Sequence, residues 1–263
     1  MPMSFDIILT AAPQDTRAAQ ALSRRVAHLA YSVGPGLVLL RGSIGSSMRG
    51  GYMVLSDDGY DHSTGDMSAL CRDVLHECGI RGYQGVVADF EQTGPLSLAP
   101  FVEQCAPALK ERGLKLFVSL RYASISKDSW IIIPTALVAG SLKERLRKAR
   151  ERFGPQLAIE IERMARDITL PDSEGQGRRL EKQELQQLAS ERQVFFSGEL
   201  CSHYFTYKDR ENGQTHFVLY DDAQSILKKI HLAVGMGIAE GFLLYPEAAD
   251  IWNELTEPSP AVI

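Results

Sequence analysis

The sequence predicts an α/β fold, a (β/α)8 barrel of the TIM type with an irregular N-terminal third. Three observations carry that expectation. Short apolar runs alternate with amphipathic segments that stop at glycine through the body of the chain, and such alternation implies parallel strands joined by crossover helices. The length of 263 residues holds about eight such strands, which suits a closed barrel forming one domain over residues 1–263. No G-x-G-x-x-G follows the first strand and no G-x-x-x-x-G-K-[ST] occurs, so open nucleotide-binding sheets lose their main support.

Taken in order, Phe5 to Leu9 is an apolar run that reads as a buried strand. In Thr16 to Ser32, the residues Ala19, Leu22, Val26 and Leu29 recur at three- and four-residue steps, which predicts a helix closed by Gly34-Pro35-Gly36. Gly36 to Leu40 and Tyr52 to Ser56 read as the second and third strands, with too short a gap between them for a crossover helix. The pattern then becomes regular. Helices are expected at Met67–Gly79, Leu98–Arg112 and Ser141–Phe153, each followed by a strand: Gln84–Glu91, Leu114–Leu120 and Gln156–Ile161, the last taken as the sixth. Trp130 to Leu137 reads as a strand or a buried loop. A polar helix at Glu181–Glu191 precedes strands at Val194–Gly198 and Gln214–Leu219, the latter after a turn at Asn212-Gly213. A helix at Ala223–Val234 and a last strand at Gly241–Tyr245 follow, and Ala248–Leu255 closes the chain. Pro171 to Arg179 reads as a loop. Only Arg163 to Gln193 leaves room for an insertion, and a small one.

Lys and Arg number 28 against 33 Asp and Glu, a net charge of −5, which argues against a nucleic-acid partner. With 44% hydrophobic and 23% charged residues the chain is not disordered. Cys71, Cys78, Cys105 and Cys201 lack C-x-x-C spacing and read as buried free thiols. The N-terminus shows no basic region followed by an apolar run, and no apolar stretch approaches about 20 residues. The expectation from composition is a cytoplasmic protein with no membrane partner.

Catalytic groups of such a barrel sit at the C-terminal ends of its strands. The ends to inspect are Asp89-Phe90-Glu91, Arg121-Tyr122, residues 162–167, Glu199, Tyr220-Asp221-Asp222 and Tyr245-Pro246-Glu247. Side chains alternate along a strand, so Asp89 and Glu91 point to the same side, about 6–7 Å apart along the chain, with Glu91 nearer the mouth. Carboxylates that close can titrate as a pair. One can keep a proton at neutral pH and donate it, as a glycosidase acid must. The D-x-E pattern alone leaves two plainer readings open: solvated acids at a strand end, or ligands for a hard cation such as Mg²⁺.

Gly85-Val86-Val87-Ala88-Asp89-Phe90-Glu91 resembles the D-G-x-D-x-D-x-E signature on strand four of glycoside hydrolase family 18. That family includes chitinases and bacterial spore peptidoglycan N-acetylglucosaminidases, whose spore-type members often end this strand in Asp-Phe-Glu. Tyr220-Asp221-Asp222, followed by Ser225, Ile226 and Lys228, resembles the family's Tyr-Asp-Asp segment before the last helix. Gly237-Ile238-Ala239-Glu240-Gly241 and then Tyr245 resembles its glycine, apolar strand, Trp ending. Met164-Ala165-Arg166-Asp167 falls at the place of a sixth-strand Met-x-Tyr-Asp. These matches span residues 83–247.

The resemblance implies a (β/α)8 fold acting on, or binding, a β-linked glycan that contains N-acetylglucosamine, of chitin or peptidoglycan type. The implied route is substrate-assisted retaining hydrolysis, an exception to the two-carboxylate scheme. Glu91 matches the acid that protonates the leaving oxygen, and Asp89 the residue that orients the acetamido group and stabilises the oxazolinium-like charge. The nucleophile is the substrate's own carbonyl oxygen, so neither a metal nor another cofactor is required. Tyr220, Asp221 and Tyr245 would line the sugar site, and Arg166, with Arg121 and Tyr122 from their place at a strand end, completes the candidate substrate-binding set. The resemblance also brings a spore-associated or extracellular location into view.

The signature's first Asp is Gln84 here, and its second is Val87, which cannot share a proton with Asp89. The sixth-strand Tyr is replaced by Arg166, which would favour an ionised Asp89 if near it. The last-strand Trp is Tyr245, which could still stack on a sugar ring. Two other readings therefore compete: a catalytically weakened lectin-like or scaffold barrel, and an unrelated barrel hydrolase that uses Asp89 and Glu91 on a metal. Of the histidines, His203 and His216 are expected near the mouth. Tyr204, Phe205 and Tyr207 read as packing, and Arg145, Arg147, Lys148, Arg150 and Arg152 as a solvated helix face.

Overall fold

The computed structural model describes residues 5–43, 45, 47–91, 96–171, 177–209 and 213–256. Its elements run β1 (Asp6–Ala11), α1 (Thr16–Leu22), β2 (Val26–Gly34), β3 (Val38–Arg41), β4 (Tyr52–Ser56), α2 (Ser68–Arg81), β5 (Gly85–Asp89), α3 (Ala99–Lys110), β6 (Lys115–Ser119), β7 (Trp130–Pro134), α4 (Leu142–Phe153) and β8 (Leu157–Ile161). There follow β9 (Ala165–Leu170), β10 (Arg178–Arg179), α5 (Lys182–Ser190), β11 (Phe195–Ser197), β12 (Ser202–Lys208), β13 (Thr215–Tyr220), α6 (Ala223–Gly235), β14 (Glu240–Leu244), α7 (Tyr245–Ala248) and α8 (Trp252–Thr256). Strands β1, β2, β4, β5, β6, β7, β8 and β14 pair in parallel in that order, and the β1–β2 and β1–β14 pairings close the ring. The expected (β/α)8 barrel is present.

Because alternate residues of each strand face inward, one set fills the barrel: Ile8, Ala27, Tyr52, Val54, Val87, Phe117, Ala158 and Phe242. Its rings meet edge to face, Phe117 on Phe242 at 5.0 Å and Tyr52 on Phe117 at 5.5 Å. Two residues further along five of these strands, the inward positions are Thr10, Asp89, Ser119, Glu160 and Leu244, all at the mouth. A glycine helps to hold this register. A Cβ on Gly85 would lie 2.3 Å from the Lys115 carbonyl oxygen, so only glycine lets the start of β5 lie this close to β6. The opposite residue faces pack under the helices in the main core, with Val86, Ala88, Leu116 and Val118 beneath Phe101, Cys105 and Leu109. All four cysteines are buried and free.

Several expectations are corrected. The helix foreseen over Thr16–Ser32 is a helix only to Leu22, where Ser23 turns extended, and Val26–Gly34 is the second barrel strand. Val26 and Leu29 extended the helical spacing by coincidence, because a strand buried on both faces has no alternation to betray it. Gly36–Leu40 is not in the ring: β3 folds back antiparallel on the end of β2. Trp130–Pro134 is the sixth barrel strand, reached from β6 through a 3-10 turn at Leu120–Tyr122 instead of a crossover helix. Leu157–Ile161 is therefore the seventh strand.

The largest correction concerns residues 165–220. Val194–Gly198 and Gln214–Leu219 were expected in the barrel. They belong to an antiparallel sheet of order β10-β9-β13-β12-β11, inserted between β8 and α6. This insertion is much larger than the segment allotted to it. One of its faces packs Ile168 and Leu219 into the main core. The other is covered by α5, with Leu185 and Leu188 against Phe205 and Val218. The insertion leaves and re-enters the barrel through one clip: the Asp221 N–H donates to Met164 O at 2.7 Å, and the Met164 N–H to Asp221 Oδ2 at 3.1 Å. Of the foreseen turns, Asn212 and part of Pro171–Arg179 lie outside the described residues.

Candidate active site

A cavity of about 540 Å³ opens at the C-terminal ends of the barrel strands. Its floor is apolar, made by Leu29, Val87, Ile132 and Phe242. Its rim carries Asp89, Glu91, Glu160, Glu162 and Glu247 from the barrel side and Arg166 and Arg179 from the insertion.

The end of β5 places the two motif acids. Asp89 and Glu91 face the cavity, while the intervening Phe90 points outward into the core, its ring 5.9 Å from Phe101 and 5.6 Å from Tyr122. Beyond the strand, the Glu91 N–H donates to Oδ1 of buried Asp57 at 3.1 Å. The packing of Phe90 and this bond fix the backbone between the two acids. Glu91 is exposed and Asp89 half-buried. Burial, then the charges of Glu91, Asp57 and Asp58, push the Asp89 carboxyl up to about 6. The expected pull of Arg166 toward ionisation does not prevail.

Glu160, on β8, joins them. Burial, followed by the charges of Asp89, Glu162, Glu91 and Glu247, pushes its carboxyl up to about 7. Its side chain is open to the cavity yet ringed by protein. A concave wall of this kind weakens hydration of a charge without barring a ligand. Its backbone carbonyl accepts from Thr135, from N–H at 3.0 Å and Oγ1 at 2.9 Å, while no described residue hydrogen-bonds its carboxyl.

The other sequence candidates are dispersed. Arg166 lines the cavity, paired with Glu162 at 2.9 Å. It does so from β9 of the insertion and not from the sixth strand, which ends at Pro134. Tyr122 is buried behind Phe90, and exposed Arg121 does not line the cavity. Tyr220 stacks on His203 in the insertion, with ring centres 5.2 Å apart. Asp221 is held in a fully buried ion pair with Lys229 at 2.6 Å and accepts from Ser202 Oγ at 2.9 Å. Tyr245 opens α7 and packs on the main core; its neighbours Leu244 and Glu247 line the cavity instead. His203 and His216 pair with Asp222 and Asp167 in the insertion. Arg147 is engaged by Glu144 at 2.7 Å on the exposed helix α4.

Glu160 and Arg179 were missed from the sequence, and Glu162 and Glu247, though among the strand ends to inspect, were given no role. A trace of Glu160 was there: a lone acid near the end of Leu157-Ala158-Ile159-Glu160-Ile161, on the parity of the inward-facing Ala158.

No family model matches the sequence, and no curated protein matches it. Solved structures do. The chain is similar to the spore cortex-lytic enzyme SleL of Bacillus megaterium, with 14% identity over 100% of this chain and 76% of that one and a TM-score of 0.69. It is similar to a chitinase of Chromobacterium violaceum, with 16% identity over 96% and 98% of the two chains and a TM-score of 0.72. It is also similar to a GH18 chitinase of Cycas revoluta solved with (GlcNAc)4, at 13% identity over 94% and 96% and a TM-score of 0.61. The fold is a (β/α)8 barrel like that of these chitinases and the spore cortex-lytic enzyme. In this chitinase-like barrel the mouth brings carboxyls with raised proton affinity against an apolar floor, an arrangement able to hold and deliver a proton in a partly dry site. Among the described residues, no group of three or more His, Cys, Asp or Glu is arranged to hold a metal ion. No helix among them is long and apolar enough to cross a membrane.

Proposed function

We propose that the protein hydrolyses a β-linked glycan containing N-acetylglucosamine, of chitin or peptidoglycan type, by a substrate-assisted retaining route. The observation that carries this reading is the placement of Asp89 and Glu91 on one side of β5 at the mouth of the chitinase-like barrel, with Asp89 pushed up to about 6. Glu91, exposed and held through its backbone by Asp57, donates the proton to the leaving oxygen. Asp89, one layer deeper, accepts the acetamido N–H and faces the positive charge that develops when the substrate's carbonyl oxygen closes on the anomeric carbon. Both structures and chemistry support the ligand class: neighbouring chitinases of this fold were solved with (GlcNAc)4, (GlcNAc)3 and allosamidin, and the apolar floor suits a methyl group. The spore cortex-lytic neighbours support a peptidoglycan-type substrate in a spore. Barrel and insertion line one cavity, and we propose that residues 1–263 work as one domain.

The test is hydrolysis of chitotetraose and of peptidoglycan by wild type and Glu91→Gln. Loss of a general acid lowers turnover by about 10²–10⁴-fold; unchanged turnover in Glu91→Gln removes the assignment. A second reading, a lectin-like barrel, is favoured by Pro134 at the end of the sixth strand and by Tyr220, Asp221 and Tyr245 standing away from the cavity. Calorimetric binding of chitotetraose without cleavage by wild type selects it.

A further inference from the structure

We infer that Glu160 is a third working carboxyl of this site, which in its neutral form donates a hydrogen bond to the carbonyl oxygen of the substrate's N-acetyl group while Asp89 accepts the amide N–H. The inference rests on the glycan reading above and adds to it a substrate-contacting residue outside the D-x-E motif.

Geometry comes first. Among the inward positions at the mouth, Thr10, Asp89, Ser119, Glu160 and Leu244, only Asp89 and Glu160 ionise. They stand on the fourth and seventh strands of the ring, so they look into the cavity from different sides. Between and below them lies the apolar floor of Val87, Ile132 and Phe242. An N-acetyl group presents one N–H, one C=O and one methyl. An acceptor, a donor and an apolar surface are what it needs; Asp89 supplies the acceptor, the floor the surface, and a proton-bearing Glu160 a donor from across the cavity. In register with Glu160 on the neighbouring strand is Pro134, which has no side-chain donor. On the sixth to eighth strands the mouth positions are Pro134, Glu160 and Leu244, and of these three side chains only Glu160 can donate.

The surroundings decide which acid keeps the proton. Facing Glu160 are Asp89 and Glu91 from the end of β5, Glu162 just after β8 and Glu247 of α7. The cations that line the same cavity are bound to two of these acids, Arg166 to Glu162 at 2.9 Å and Arg179 to Glu247 at 2.7 Å. No described residue hydrogen-bonds the Glu160 carboxyl. Both carboxyls are pushed up, Asp89 to about 6 and Glu160 to about 7, and an ionised Asp89 across the cavity favours the proton on Glu160. Nothing is transferred; the proton stays on Glu160 and fixes the direction of the carbonyl oxygen.

A pH dependence follows. Asp89 must lose its proton to accept the N–H and sets the acid limb of ligand binding. Glu160 must keep its proton and sets the alkaline limb.

The test is calorimetric titration of the full chain with chitotetraose and with the fully deacetylated tetramer, from about pH 5 to about pH 9, a span that brackets both raised carboxyls. Wild type should lose about tenfold in affinity for chitotetraose on the alkaline side, the worth of one hydrogen bond. Glu160→Gln keeps an N–H donor that does not titrate and should abolish that loss. Glu160→Leu should bind about tenfold more weakly at every pH, with no corresponding loss for the deacetylated tetramer; melting curves confirm that both variants fold. If Glu160→Gln keeps the wild-type alkaline limb, or Glu160→Leu binds chitotetraose as wild type does, the assignment is overturned and the glycan reading stands. If wild type binds no chitotetraose at any pH, the glycan reading fails and this assignment falls with it.

Discussion

Asp167 and Asp221 in the antiparallel insertion are more deeply buried than Asp89 at the barrel mouth, yet their circumstances are opposite. Asp167 accepts from Tyr207 Oη at 2.7 Å and pairs with His216 at 2.8 Å, with Arg178 at 3.7 Å. Asp221 has Lys229, Ser202 and a backbone N–H. At the barrel mouth, Asp89 and Glu160 have other carboxylates for neighbours, and their proton affinity rises. A buried charge that is matched holds a structure together, whereas one left unmatched holds a proton. Environment, and not residue type or motif, separates the acids whose proton affinity is raised from those held in pairs.

The contrast can be broken first at the mouth. Asp89→Asn should lower glycan turnover by about 10²–10⁴-fold with the fold intact by circular dichroism; a variant with wild-type turnover would make Asp89 as structural as Asp221. In the insertion, Lys229→Met strands a buried carboxylate and should cost about 3–5 kcal/mol, a fall in melting temperature on the order of 10 °C. The double variant Lys229→Met/Asp221→Leu should regain most of it. A Lys229→Met protein that melts like wild type would show that the pair is not matched as described.

A smaller effect has the opposite sign. The folded-state value of Asp89 lies above its unfolded one, so the folded chain binds the extra proton between about pH 4 and pH 6. The stability this confers is complete in acid and is lost as pH rises through that window. Asp89→Asn should therefore be more stable than wild type at about pH 8, by about 1 kcal/mol after allowing for cavity water, and show no gain at about pH 4. Denaturant melts at the two pH values check the sign. The smallest effect is expected at Tyr245. Tyr245→Ala should lower stability through lost packing and leave KM for chitotetraose within about twofold, less than the loss of one typical hydrogen bond. A tenfold rise in KM would return Tyr245 to the sugar site.

The barrel and its fourth strand were legible because glycine stops, apolar runs and a D-x-E at a strand end are local features. The path through residues 16–41 was not: Val26–Gly34 is buried along most of its length, and its apolar residues fall on helical spacing as readily as on a strand's. The insertion was hidden for another reason. Short strands such as Phe195–Ser197 and Thr215–Tyr220 look the same whether their partners run parallel or antiparallel, and the partner is a non-local fact. Asp221 looked like a site residue because Tyr-Asp-Asp sits at a strand end; the lysine that occupies it lies eight residues on, one face of α6 away. Glu160 went unseen because its role depends on acids from β5 and α7 that only closure of the ring brings near.

The clip between Met164 and Asp221 has a further consequence for how this architecture can vary. Since the chain departs and returns through one hydrogen-bonded residue pair, everything between is, to the barrel, a single loop of fixed end-to-end separation. The entropy of closing a loop grows only logarithmically with its length, by about 0.6 kcal/mol per doubling. The wall beside the cavity can therefore be lengthened, trimmed or exchanged wholesale at little thermodynamic cost, leaving the strand register beneath it undisturbed. Splicing at this pair offers a route to grafting new rims onto an unchanged barrel floor.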